Sequence, residues 1–171
     1  AQRLKLLADE VHQYGAKLAI QLSPGYGRVN VGTPETTTHV SASEVPAFWH
    51  PDHKCKALSV EEIHTLVEKA GKAAKMAKDA GVDILEVHAY GGYMLDQFIS
   101  SCWNHREDEY GGSLENRLRF IREFYEAIRA AVGPEYPVSV KFTPQHSFHG
   151  GRTLDNEGVE IVKILDTWGF S

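Results

Sequence analysis

The sequence has no cluster of basic residues and no long apolar run, and each absence excludes a class of protein. Its 18 lysine and arginine residues are outnumbered by 23 aspartate and glutamate residues, giving a net charge of −5, and both signs are mixed along the chain. Because a basic stripe is the usual electrostatic signature of nucleic-acid binding, no nucleic-acid partner is expected. The longest apolar run is far shorter than the ~20 residues of a membrane-spanning helix, so no membrane association is expected.

Cysteine is also scarce, and histidine is plentiful. Cys55 and Cys102 are the two cysteines, too few for a disulfide scaffold, so a cytoplasmic location is expected. Nine histidines include two pairs with ligand-like spacing, at residues 50–53 and 146–149. Neither pair is accompanied by a second matched pair or an acidic cluster, so no metal site is predicted.

Strand and helix patterns alternate along the chain. Helical periodicity covers residues 4–11 and ends at Gly15, and a capping box at residues 59–62 opens a second helix that stops at Gly81. Ser113 opens a third helix, and a fourth is predicted over residues 155–168. Strands are predicted over residues 17–22, 82–87 and 137–142, with the entrance to another at 169–171; residues 23–58 and 89–112 are predicted to be loops.

This alternation predicts parallel βα units, and the link lengths favour a barrel. Every helix-to-strand link is short, whereas the strand-to-helix links are long, as in a (β/α)₈ barrel whose catalytic loops share one face; a doubly wound sheet stays open as an alternative. A complete barrel needs ~250 residues. The expectation is therefore that residues 1–171 are the central portion of a barrel, about three βα units, with the amino- and carboxy-terminal strands absent.

The densest motif lies between residues 86 and 120. Residues 86–98 read EVHAYGGYMLDQF, and residues 104–120 read NHREDEYGGSLENRLRF. This stretch resembles the old yellow enzyme family of NAD(P)H:flavin oxidoreductases, whose pattern is E-[IV]-H-x-A-[HN]-G-Y-L-x-x-Q-F followed by N-x-R-x-D-x-Y-G-G-S-x-E-N-R-x-R-F. The resemblance extends to residues 21–22, 41–46 and 138–143, and so covers nearly the whole chain.

The resemblance implies a parallel (β/α)₈ TIM barrel that binds FMN and takes hydride from NADH or NADPH. The substrate class implied is a small α,β-unsaturated carbonyl compound whose activated C=C bond is reduced. The loop at residues 23–28 is similar to that of the enoate, 2,4-dienoyl-CoA and steroid reductases of the family. Long members also carry an iron–sulfur cluster, which in the parent protein would lie beyond residue 171.

Four residues receive roles from this resemblance. His88 is expected to donate a hydrogen bond to the substrate carbonyl oxygen, and Tyr93 to protonate the substrate carbon. Both are expected just past the end of the second strand. Gln21 is expected to contact the flavin pyrimidine edge, and Lys141 to lie beside flavin N1. The family's second carbonyl donor, His or Asn, is replaced here by Gly91. Either another group compensates, such as Tyr90 or a residue outside the chain, or the substrate is bound differently. The remaining motif residues, such as Arg106, are expected to be architectural.

Three alternatives to the flavoenzyme remain open from the residues alone. Lys141 at a strand end could form a Schiff base in a lyase or aldolase. The loop histidines could serve a metal-dependent hydrolase. The isolated chain could also be a non-catalytic piece, which would be inactive and would self-associate through its unpaired strand edges.

Overall fold

The computed structural model describes residues 2–170, and its framework is a three-stranded parallel sheet with helices packed on one face. The sheet has the strand order β1-β4-β5, and β2 and β3 form a separate parallel pair. The predicted alternation of parallel strands and helices is confirmed. In chain order the elements are α1 (Gln2–Gln13), β1 (Ala19–Leu22), β2 (Val40–Ser41), β3 (Lys56–Ala57), α2 (Val60–Asp79), β4 (Ile84–Ala89), α3 (Met94–Ile99), α4 (Leu114–Val132), β5 (Val138–Phe142) and α5 (Val159–Thr167).

The two faces of the sheet differ in chemistry because side chains alternate along each strand. On β4, Leu85, Val87 and Ala89 are fully buried and join the apolar core formed with α2 and α4. On the opposite face, Glu86 and His88 stand in register with polar residues of the neighbouring strands. The polar face therefore points away from the helices, where a parallel barrel has its interior.

The edge of the sheet at which the strands begin is tied together by Asp83. Its carboxylate accepts hydrogen bonds from Lys17 Nζ at 2.8 Å and from the Leu18 backbone N–H at 2.9 Å, and it contacts His12 Nε2 at 2.7 Å. The hydrogen bond from Lys17, followed by those from Leu18 and His12, holds the pKa of Asp83 far below its ordinary value. The links before β1 and β4 are thus joined by charge-assisted hydrogen bonds.

The predicted capping box at the start of α2 is confirmed. Ser59 Oγ accepts a hydrogen bond from the Glu62 backbone N–H at 3.2 Å, and Glu62 Oε2 accepts one from the Ser59 backbone N–H at 2.9 Å. Both donors lie at the helix start, where no preceding turn supplies an acceptor.

Ser59→Ala is expected to lower the free energy of unfolding by about 1 kcal/mol, because the Glu62 backbone N–H loses its side-chain acceptor. Urea denaturation of the wild type and the variant measures the change. Ser101→Ala is the matched control, since Ser101 is exposed; it should change the same quantity by less than about 0.5 kcal/mol. Equal effects of the two substitutions would contradict the role of the capping box.

Three segments differ from the sequence-based prediction. The loop predicted over residues 89–112 contains α3, and all six of its residues are buried. A helix buried on every side shows no 3.6-residue apolar pattern, which is why the periodicity did not reveal it. Residues 23–58, predicted to be a loop, contain a 3₁₀ turn at Gly27–Val29 and the strands β2 and β3. The last helix begins with a π-helical turn at Leu154–Gly158.

Strand β4 also ends later than predicted. His88 was expected just past the strand, but it lies inside β4, because the ladder with β5 continues through the pairs His88–Lys141 and Ala89–Phe142. The predicted strand entrance at residues 169–171 includes Ser171, which lies outside the described residues. Within residues 2–170, no helix combines the length and apolar character that crossing a membrane requires.

Candidate active site

Polar side chains from three strands share the sheet face that points away from the helices. Gln21 of β1 is in register with Glu86 of β4, and His88 of β4 is in register with Lys141 of β5. Since residues two apart on a strand project from the same face, these four side chains form one continuous polar surface. Gln21, His88 and Lys141 are each the next-to-last residue of their strands, and the carboxyl ends of strands are where parallel α/β proteins place their chemistry.

An open cleft of about 420 Å³ covers part of this surface. Three of the four predicted site residues, Gln21, His88 and Tyr93, line it together. Lys141 is not in the lining and lies beside His88 on the neighbouring strand. The full lining consists of Gln21, Ser23, Gly25, Tyr26, His88 and Tyr93.

His88 is the most enclosed polar group of the cleft. It is 8% exposed, and its ring meets the Tyr93 ring edge-on, with centroids 4.7 Å apart. Burial lowers the pKa of His88, and the Lys141 cation lowers it further, against the opposing effect of Glu86 and Asp96. A neutral imidazole offers one N–H donor, and a donor of that kind suits a carbonyl oxygen at neutral pH.

Lys141→Met is expected to raise the pKa of His88 toward its ordinary value of 6.5, because one of the two causes of the depression is removed. The direction follows from charge: without a neighbouring cation, protonation of the imidazole becomes less costly. An NMR pH titration of the imidazole protons measures it. Lys163→Met, on the exposed side of α5, is the control and should leave the His88 pKa unchanged; an unchanged pKa in Lys141→Met would contradict the coupling.

Tyr93 is placed by the start of α3 rather than by a strand. It is the residue immediately before the helix, in an extended backbone conformation, and is half-buried. Its ring lies between that of His88 and that of Tyr26, the latter at a centroid distance of 5.9 Å. A phenol at this place borders the same cleft as the His88 imidazole.

Glu86 is a member of the polar surface that the sequence analysis missed. Its carboxylate Oε1 accepts a hydrogen bond from Gln21 Nε2 at 2.5 Å, so the Gln21 amide is held in one orientation. Its position two residues before His88 on the same strand is the signal that could have found it, because such residues share a face.

Gly91, at the position of the family's second donor, carries no side chain for that role. Its φ of +68° is in the left-handed region that favours glycine, and its N–H donates to Thr143 Oγ1 at 3.0 Å. Tyr90, the candidate for compensation, lies with its ring centroid 5.0 Å from Lys141 Nζ. The Tyr90 ring is also 6.4 Å from that of His88, so it borders the site from the β5 side.

The loop before α4 is held by its own side chains, consistent with the architectural role expected of it. Arg106 Nη1 donates to the Ala42 and Leu58 carbonyl oxygens, at 2.9 and 2.6 Å. Asn104 Nδ2 donates to the carbonyl oxygens of Phe98 and Tyr110, both at 2.7 Å. These contacts fix the loop to the segments around β2 and β3 and to α3.

The histidine pairs do not build a metal centre in the described part of the chain. The His39 ring lies 5.8 Å from that of His50 and 5.5 Å from that of His53. Within residues 2–170, no group of three or more potential ligands is arranged to hold an ion. His146 instead contacts the buried carboxylate of Asp96 at 3.0 Å.

Comparison with known proteins gives consistent matches over almost the whole chain. The sequence profile described as the NADH:flavin oxidoreductase / NADH oxidase family matches residues 1–168. Cinnamate reductase from Clostridium sporogenes is 40% identical, over 96% of this chain and 27% of its own length. NADPH dehydrogenase from Clostridium acetobutylicum is 38% identical, over 96% of this chain and 48% of its own length.

The solved structures agree. Morphinone reductase in complex with tetrahydroNAD matches with a TM-score of 0.81 and 31% identity, over 97% of this chain and 50% of its own. The old yellow enzyme homologue from Zymomonas mobilis matches with a TM-score of 0.82 and 30% identity, over 99% and 50%. The predicted fold class is confirmed: the parallel βα arrangement is that of part of a TIM barrel. The chain spans between about a quarter and a half of the length of these four proteins.

Proposed function

The chain belongs to the NADH:flavin oxidoreductase / NADH oxidase family, and from this premise we propose that it is part of an FMN-dependent ene-reductase. The parent protein takes hydride from NADH or NADPH and reduces the activated C=C bond of an α,β-unsaturated carbonyl compound. The observation that carries the proposal is the convergence of Gln21, His88 and Tyr93 on one cleft, from two strands and a helix start.

In this proposal, His88 binds and polarises the substrate. The side chain is nearly enclosed, its pKa is lowered by burial, and it is therefore a neutral N–H donor at pH 7. A fixed donor aimed at a carbonyl oxygen stabilises the negative charge that develops there when the β-carbon accepts hydride. Tyr93, across a 4.7 Å ring contact, is the proton donor to the neighbouring carbon.

The polar face of the sheet carries an amide and a cation, which suit the ring edges of FMN. FMN, when bound, would supply the hydride. Gln21 offers an amide, held by Glu86, that matches a ring edge carrying both donors and acceptors. The Lys141 ammonium group lies 5.0 Å from the Tyr90 ring centroid, and its cation suits an anionic ring edge. We propose these two as the flavin-contacting residues and His88 with Tyr93 as the substrate-contacting residues.

The test is spectroscopic. The full-length parent protein should purify with a flavin absorption spectrum, bleach on anaerobic addition of NADH or NADPH, and regain colour when an alkene is added. Cyclohexenone, cinnamate, a dienoyl thioester and a ketosteroid are the substrates to compare. A cofactor-loaded parent that never shows a flavin spectrum would overturn the proposal.

The rival function is a Schiff-base lyase that uses Lys141. Its support is the position of this lysine near the end of β5, in register with His88 of the neighbouring strand. Borohydride trapping in the presence of a carbonyl substrate separates the two functions. A covalent adduct on Lys141 in a protein without flavin would favour the lyase.

We also propose that residues 1–171 are the central portion of the FMN-binding barrel domain. The support is the coverage of only 27–50% of the relatives' length and a main sheet of three strands within residues 2–170. In barrels, the phosphate usually sits on the loops after strands 7 and 8. The isolated chain should therefore bind FMN weakly and be inactive, and an FMN titration giving tight one-to-one binding would contradict this assignment.

The proposal also covers self-association of the isolated chain and the cellular location of the protein. Leu6 and Leu7 of α1 are 64% and 51% exposed, and β1 and β5 are both edge strands, so the isolated chain offers surfaces for pairing with a second copy. Cys55 and Cys102 are both free thiols, which supports a reducing, cytoplasmic location. Sedimentation of the purified chain over a range of concentrations measures the association.

A further inference from the structure

A buried ionic cluster joins α3 to the loop after β5, and the proposed chemistry does not use it. Asp96 of α3 is 0% exposed. Its Oδ1 accepts a hydrogen bond from Arg152 Nη2 at 2.5 Å, and its Oδ2 lies 3.0 Å from His146 Nε2. The side chains of His146 and Arg152, both on the loop after β5, are 4% and 1% exposed.

Stability alone does not explain such a cluster. Burying three ionisable groups costs desolvation, and apolar residues of similar volume often serve stability equally well. What a charged cluster with many directed hydrogen bonds does supply is a fixed geometry. The other hydrogen bonds of this cluster therefore indicate which part of the structure it holds in place.

Those contacts converge on the turn at residues 91–92, which directly precedes Tyr93. Asp96 Oδ2 accepts a hydrogen bond from the N–H of Gly92, the residue directly before Tyr93, at 2.8 Å. The N–H of Gly91 donates to Thr143 Oγ1. The Thr143 carbonyl oxygen in turn accepts from Arg152, through Nη2 at 2.7 Å and Nε at 3.1 Å. The backbone N–H groups of Gly91 and Gly92 therefore both donate to groups that Arg152 also contacts, Thr143 and Asp96.

The turn has little freedom to find another way of holding Tyr93. Gly92 has a φ of +74°, and a Cβ at this position would lie 3.2 Å from the Trp103 ring. Its carbonyl oxygen accepts a hydrogen bond from Gln97 Nε2 at 2.5 Å. The peptide groups before Tyr93 are therefore fixed on the N–H side by Asp96 and on the carbonyl side by Gln97.

We propose that Asp96, held by Arg152 and His146, is a positioning residue for Tyr93 and joins the loop after β4 to the loop after β5 as one unit. The inference rests on the proposed function, because it takes Tyr93 as the proton donor. It adds that the proton-transfer geometry depends on an ion pair formed with a residue 56 positions later in the chain.

Asp96→Asn in the full-length, FMN-loaded protein is the test. The amide keeps the size of the carboxylate, but its NH₂ group must face either the Gly92 N–H or the Arg152 guanidinium, donor against donor. Stopped-flow absorbance under anaerobic conditions measures flavin reduction by NADPH and flavin reoxidation by cyclohexenone as separate rates. Reduction should stay within about 2-fold of wild type, and reoxidation should fall roughly 10- to 100-fold.

Two further readouts separate positioning from general destabilisation. Adding Asp96→Asn to Tyr93→Phe should cause little further loss of reoxidation rate, because the group being positioned is already gone. Glu157→Gln is the matched control, because it removes the charge that pairs with Arg117. Arg117 also donates hydrogen bonds to the carbonyl oxygens of Ile99 and Gly112, so this ion pair belongs to another part of the structure. It should lower the melting temperature and leave both half-reaction rates unchanged.

A second variant covers the case in which Asp96→Asn does not fold. Thr143→Val removes only the acceptor of the Gly91 N–H, leaves the charged cluster intact, and should also slow reoxidation selectively. A wild-type protein whose flavin is reduced by neither NADH nor NADPH and is not reoxidised by any of the four alkenes would overturn the proposed function itself. If the wild type performs both half-reactions, wild-type reoxidation in the folded variants, or an equal loss in Glu157→Gln, would overturn the positioning role.

Discussion

Replacement of His88 by alanine is expected to lower the turnover of the parent enzyme with its best alkene by about 10²- to 10³-fold, while FMN stays bound. The reason is that His88 is the enclosed donor of the cleft, and Gly91 supplies no second side chain to take over its hydrogen bond. Steady-state kinetics and the flavin content of the purified variant measure the two parts of this expectation.

The control for this prediction is His64→Ala, which removes an exposed histidine from α2. It should leave turnover and flavin content unchanged. Turnover of His88→Ala at the wild-type level would remove His88 from the mechanism. Loss of the flavin together with activity would instead make His88 a cofactor-binding residue.

Tyr93→Phe is expected to slow flavin reoxidation by the alkene by roughly 10²-fold or more, because proton transfer from a positioned general acid contributes a factor of this size. The ring contacts with His88 and Tyr26 depend on the aromatic ring, which phenylalanine keeps. Flavin reduction by NADPH should therefore be unaffected. Anaerobic stopped-flow measurement of the two half-reactions tests this.

Tyr14→Phe is the matched control, since Tyr14 is 81% exposed at the end of α1; it should change neither rate. A substrate whose carbon is protonated by water would show little dependence on Tyr93. Equal reoxidation rates in Tyr93→Phe and the wild type, across all four alkenes, would therefore contradict its assignment as the proton donor.

Much of the fold could be read from the sequence because its signals are local. The capping box at Ser59, the helix start at Ser113 and the terminating glycines at 15, 81 and 133 lie where the structure has them. The end of β4 was misjudged because a polar residue interrupted an apolar run. In a barrel-type strand one face can be polar without ending the strand, and the histidine at position 88 belongs to that face.

The candidate site was readable only in part. The family resemblance pointed to Gln21, His88, Tyr93 and Lys141, but no local pattern connects Asp96 with Arg152. Their ion pair spans 56 residues and exists only because the loops after β4 and β5 are neighbours in space. Glu86 lay within the motif, and its bond to Gln21 depends on the register of β1 against β4.

The contacts of Asp83 with His12, Lys17 and Leu18 have a consequence for which residues of the protein can be substituted. They anchor the links before β1 and β4, away from the loops that border the cleft. Exposed residues of the cleft lining, such as Ser23 and Tyr26, can therefore be varied in directed evolution without disturbing that anchor. Variants of these lining residues can then be screened for alkene preference, and variants of the Asp83 contacts for melting temperature, as two separate libraries.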